Sequence, residues 1–302
     1  MRHLILLFFL VFTGAAVFAQ NSIDLFTIAT QYGFPSDYEA PLDGQGQETV
    51  YNLNAKLPIP MGENDVWYNN LSYYNFRVNS DGEIPEAMAS PLNLHAIILQ
   101  TGLYHKFSED KGFMLLLMPR LMSDFDGGSS VQPGAIALYE KRFHDRLLMR
   151  FGVSYNQELF GPFFVPLVFL NWQFGDDWSI EGLLPIYMKV KKQINENFSV
   201  GFHEFALVMT FPLNEENNND YIERNAIELS LFARHRVAGN VHAEVRAGYS
   251  LSRDYGQYAD GQMVDWGIPT VRVNDERPLL NVPFNDGPFV SARLVYNLPL
   301  GN

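Results

Sequence analysis

The chain has 302 residues, enough for one large domain or two, and 14% aromatics, 17 prolines and 23 glycines make it rich in strand and turn formers. It has no cysteine, which excludes disulfides, thiolate metal sites and a lipoprotein anchor. A formal charge of −13 argues against nucleic acid as a partner.

Residues 1–19 predict a secretory signal peptide. Arg2 and His3 are followed by an apolar core over 4–12, and Val17-Phe18-Ala19 carries small residues where a signal peptidase reads. The apolar run is short for a membrane anchor, which needs about 20 residues. No later run is long enough for a transmembrane helix. The mature chain, 20–302, is expected to be a single domain that is either soluble and exported or a β-barrel.

Strands are then predicted in sequence. The first, 23–34, precedes a polar loop over 35–45. In the second, 49–57, Tyr51, Leu53, Ala55 and Leu57 alternate with Asn52, Asn54 and Lys56. A turn over 58–64 leads to a third, 66–77, and a long loop over 78–91 to a fourth ending near Phe107. A tight turn at 108–112 opens a fifth, 113–122, and a loop over 123–133 a sixth, 134–143. The seventh puts Leu147, Met149, Phe151, Val153 and Tyr155 on one face and Arg150, Gly152, Ser154 and Asn156 on the other. An eighth ends near Phe174, and the ninth (178–184), tenth (186–193) and eleventh (198–211) follow. After a loop over 212–225, residues 227–251 form the clearest hairpin. A long loop over 253–286 leads to a last strand, 289–298.

The total is fourteen, although strands three, four and eleven alternate poorly and leave twelve or ten open. Connections alternate between mostly long and consistently short ones, as in a transmembrane antiparallel up-and-down β-barrel. A soluble sandwich has no reason to keep that order. Aromatics near strand ends, among them Trp67, Phe107, Trp172, Trp178 and Tyr296, suit two interfacial girdles. The acidic residues of the long loops are read first as solvated surface.

The segments Gly152-Val153-Ser154-Tyr155-Asn156, Phe160-Gly161-Pro162, Val165-Pro166-Leu167 and Trp178 through Leu184-Pro185 resemble a family of outer-membrane β-barrels of unknown function, common in Bacteroidota. The resemblance covers nearly all of the mature chain. It implies an outer-membrane location and a barrel fold, and carries over no catalytic or binding residue. In one respect the chain departs from many barrels, which finish on an aromatic residue recognised by the insertion machinery. This one ends Leu298-Pro299-Leu300-Gly301-Asn302, with Tyr296 as the nearest substitute.

With the apolar set facing lipid, the lumen receives Lys56, Arg150, Glu181, Lys189, Lys191, Glu228, Arg234, Arg236, His242, Glu244, Arg246 and Arg293. Arg234, Arg236, Arg246 and Arg293 come from three successive strands and form a basic ladder with Glu228 and Glu244 on the same wall. Two readings follow: a salt-bridge network that stiffens the wall, and a constriction that favours anions. Leu116, Met118, Leu167, Phe169 and Phe232 add apolar surface for a third, a hydrophobic route through a wall that opens laterally.

An enzyme is the weakest expectation. His242 has Glu244 two residues away and Ser250 and Ser252 further on, but no nucleophile motif, paired metal-ligand histidines or phosphate loop accompanies them. No cofactor is expected. The sequence thus predicts an outer-membrane channel or small-molecule transporter for an anionic or hydrophobic solute. The alternative is a blocked barrel that contacts partners through its loops, and a hydrolase is a distant third. The expected partners are lipid and lipopolysaccharide, the barrel-insertion machinery and a small solute.

Overall fold

The computed structural model describes residues 22–299. Residues 1–21, which include the expected signal peptide, and 300–302 lie outside the described residues.

Fourteen antiparallel strands close on themselves. They are β1 (Ser22–Gly33), β2 (Gly44–Pro60), β3 (Asp65–Gly82), β4 (Leu92–Ser108), β5 (Lys111–Leu117 continued by Arg120–Ser123), β6 (Ser129–Gln132 continued by Gly134–His144), β7 (Leu147–Glu158), β8 (Gly161–Phe174), β9 (Trp178–Leu184), β10 (Tyr187–Asn195), β11 (Phe198–Pro212), β12 (Tyr221–Ala238), β13 (Val241–Tyr258) and β14 (Gly287–Pro299). Each pairs with its neighbours in sequence, and β14 pairs with β1 from Ser22↔Pro299 to Gly33↔Phe289. Pairing of the last strand with the first closes the sheet into a ring, as strands that stand in a membrane require.

Alternation governs the register as predicted. Val245, 58% exposed, faces out, and its neighbours Glu244 and Arg246 face in. Ser22, Pro299 and the tight turns lie at one end. Gly175 and Gly239 supply the positive φ two of these turns require. The long connections gather at the other end, together with the two shortest ones there, Leu159-Phe160 and Pro185-Ile186.

The structure corrects several boundaries. Residues 253–258 and 221–225, expected in loops, belong to β13 and β12, and Pro58 and Pro60 lie within β2. The predicted 123–133 loop contains the start of β6. Pro119 interrupts β5, because a proline nitrogen cannot donate to the ladder, and its carbonyl accepts from Leu99 N instead (3.1 Å). The 253–286 loop is folded too. Within it Trp266–Ile268 pairs with Val271–Val273, and Gly267 bridges to Phe163 on the edge of β8.

The interior is divided. At the long-loop end, inward side chains and loops close into an apolar core that includes Phe76, Leu94, Met122, Phe160, Phe211 and Phe284. Each such side chain taken from water contributes about 1.5–3 kcal/mol. At the tight-turn end the interior is an open polar cavity.

Candidate functional site

The cavity measures about 940 Å³ and opens among Ser22, Pro58, Asn197, Asn240 and Pro299. Nine lysines and arginines line it against five aspartates and glutamates. Arg150, Glu181, Lys189, Glu228, Arg234, Arg236, His242, Arg246 and Arg293 are all on the lining, as are Lys56 and Lys191. Glu244 lies beneath it, 1% exposed.

Glu244 is the hub of the basic wall. Strand register sets it between Arg234 on β12 and Arg293 on β14. Its carboxylate accepts from Lys189 (2.6 Å) and Arg246 (2.6 Å), with Arg293 at 3.6 Å and Arg234 at 3.8 Å. Four cations surround this one carboxylate, so the wall keeps a positive surplus. Arg246 also meets His203 Nδ1 (2.8 Å), and Lys189 sits over the Phe232 ring.

Arg234 donates through both terminal nitrogens to Asp24 (3.1 and 2.8 Å). Asp24 is a lumen residue that alternation alone misses. Strict period two would send it outward with Phe26 and Ile28, but a bulge between Asp24 and Phe26 reverses its side. Arg236 stands apart from the ladder at the rim, bonded to Asn197 and to the Glu196 carbonyl.

Two further networks carry the polar lining into the apolar end. Arg224, fully buried, donates to Glu48 (2.7 Å) and Glu228 (3.4 Å) and lies over Phe76; Tyr255 also bonds Glu48. Arg120 pairs with Glu158 (2.7 Å), whose other oxygen accepts from Thr210 (2.8 Å). The loop assignment of 212–225 hid Arg224. Carrying the β2 alternation back from Asn52 would have placed Glu48 inside. Arg150 on β7 bonds its cross-strand partner Glu140 on the adjacent β6 (2.7 Å) and stacks over Phe169.

The inward apolar set is also placed. Leu116, Met118 and Phe169 reach the cavity, and all five expected residues are buried. The hydrolase constellation is not assembled. His242 Nδ1 donates to the Asn240 carbonyl (3.2 Å), Glu244 is occupied by Lys189 and Arg246, and Ser250 is enclosed at 1% exposure.

Comparison with solved structures gives barrels of the same kind. A FadL homologue of Pseudomonas aeruginosa aligns over 96% of this chain and 94% of its own, at 10% identity and a TM-score of 0.50. An outer membrane channel from Pseudomonas putida F1 aligns over 95% and 98%, at 9% identity and a TM-score of 0.46. The likeness to the first of these establishes the fold, an outer-membrane-type barrel. No curated protein matches the sequence. A family model described as a domain of unknown function (DUF6268) matches residues 15–265.

Proposed function

The chain belongs to the DUF6268 family, a domain of unknown function, and we propose that this member is an outer-membrane channel or transporter for small molecules, with no enzymatic role. Its polar vestibule faces the periplasm and its long loops face outward, the orientation usual for barrels with one set of short turns. The observation that carries this reading is the basic cavity, which excludes small cations and admits anions in a chain whose overall charge is negative. Two of the similar solved structures are described as an outer membrane channel and a monoaromatic hydrocarbon channel, which supports transport in general. Lipid and lipopolysaccharide surround the barrel in this reading. Tyr296, outward on the last strand, is the aromatic offered to the insertion machinery.

A second reading, a blocked barrel, is favoured by the apolar core that closes the long-loop end. Conductance of the refolded protein in a planar bilayer under a salt gradient separates the two. The channel reading expects discrete steps with anion preference, and Arg246→Glu should move the reversal potential toward cations. Silence from folded protein would favour the blocked barrel. Steps whose reversal potential ignores Arg246→Glu would leave the basic wall a purely structural role.

A further inference from the structure

The barrel wall is incomplete between β8 and β11. β9 pairs with β8 only over Val168–Phe174, and β10 pairs with β11 only over Phe198–Phe205. Above the Pro185-Ile186 turn, the last bond to β11 is Ala206 N to the Ile186 carbonyl (2.8 Å). Beyond it the facing edges of β8 (161–167) and β11 (207–212) have no ladder partner among the described residues, save the single Phe163–Gly267 bridge. Two missing strands leave about three inter-strand spacings, roughly 14 Å, at the floor of the break.

The break narrows upward. Thr210 accepts from Leu159 N (2.9 Å) and donates to Glu158, and Gln132 reaches the Thr210 carbonyl (3.0 Å). The small hairpin of the 259–286 loop roofs it. Gly267 joins the edge of β8, and Arg272 stacks over Phe160 and Phe163 while bonding Glu223 on β12 (2.8 Å). What remains is a gap framed by Leu167, Leu183, Ile186, Leu207 and Val208, all packed on the apolar core.

Its height matters. Seven residues of β9, at about 3.3 Å each and tilted about 40°, rise only about 18 Å, against an apolar band about 25 Å tall. On the β8 flank, outward Phe164 carries the apolar surface up beside the break, whereas on β12 it stops at Ile227. The gap therefore straddles the upper edge of the band. Unpaired backbone at that depth is tolerated only where it is buried in protein or lines a cavity. Leu183, Ile186, Leu207 and Val208 all border the polar cavity, so the gap and the cavity adjoin. Glu204, on the outward register below the sill, has one carboxyl oxygen enclosed and without a partner.

We infer that this break is a lateral portal through which a small hydrophobic molecule passes between the membrane and the cavity. The inference deepens the transport reading by naming the solute class and its route. The solute leaves lipid above the β9–β10 turn, crosses the apolar frame and meets the polar cavity, so that it need not pass the core closing the long-loop end. The loop hairpin and the Thr210 latch keep the portal narrow in this conformation.

The test uses a membrane-dissolved aromatic diazirine, 3-(trifluoromethyl)-3-(m-iodophenyl)diazirine, photolysed with the refolded barrel in phosphatidylcholine vesicles and mapped by mass spectrometry. The portal expects label on outward Leu231 and also on inward Phe169 and Leu148. Leu207→Trp, or the milder Leu207→Phe, should reduce the inward label several-fold and leave that on Leu231 unchanged. Label confined to outward residues would overturn the portal, as would inward label that neither variant lowers, since entry would then be through the vestibule. Conductance of the same preparation reads the channel independently: inward label that falls with Leu207→Trp in a silent barrel supports the portal and tells against ion conduction.

Discussion

At the scale of single residues, the ionisable groups of the interior divide by solvation. The four basic neighbours of Glu244 line the cavity, so the wall tolerates its positive surplus although Glu244 itself is enclosed beneath them. Arg224 and Glu48 have no such relief, each only 1% exposed. Removing one partner strands the other charge, at a cost of about 3–5 kcal/mol. Arg224→Met should therefore lower the urea midpoint sharply in unfolding from vesicles, and Arg224→Met combined with Glu48→Gln should recover most of it. Equal midpoints for the single variant and the parent would show that the pair is hydrated. The lumen residues were legible wherever alternation ran unbroken. Asp24 was not, because a bulge is one inserted residue and leaves no compositional trace.

At the scale of elements, poor alternation carries positional information. On β4, Leu94, Ala96 and Ile98 point inward while Ile97 and Leu103 point outward; on β11, Leu207, Met209 and Phe211 face the interior core. Both faces are apolar there because one meets the membrane side and the other the core. A period-two pattern needs one wet face, so it vanishes where the interior is dry. β12 and β13 keep theirs because their inner face borders the cavity. Their register predicts that Val245→Arg impairs insertion by about 2–4 kcal/mol, the cost of a basic group on the lipid face. Ser179→Arg, directed into the cavity, should fold nearly normally. Ser250, although also inward, is too enclosed to serve as that control. Equal folding yields in lipid vesicles for Val245→Arg and Ser179→Arg would contradict the assigned faces.

For the molecule as a whole, the sequence predicted closure and strand number, but not that the interior is open at one end and packed at the other. The packing depends on loops that reach back across the barrel, and such contacts between residues distant in sequence have no local signature. The 259–286 loop is held by two arginines. Arg277 bonds Glu223 (2.9 Å), Asp275 and Tyr221 and lies over Tyr258, while Arg272 bonds Glu223 from its other side. The Arg277 side chain holds the Asp275 carboxyl below its usual range. Arg272→Ala with Arg277→Ala should free this loop. We expect faster proteolysis within 259–286 and higher bilayer conductance with the barrel otherwise intact. Unchanged proteolysis would mean that the remaining contacts suffice to hold the loop.

The cavity's charge has a consequence for the concentration of ions inside it. Once Arg120 is matched by Glu158 and Glu244 is counted with the wall, two positive charges remain unbalanced in about 940 Å³. That is a fixed-charge density of roughly 3.5 M, some twenty times physiological salt at about 0.15 M. The vestibule behaves as a minute anion-exchange phase. Mobile anions fill it to near electroneutrality whatever the dilute bath contains, and co-ions are expelled. An anionic solute arriving there exchanges with a resident counter-ion rather than entering plain water.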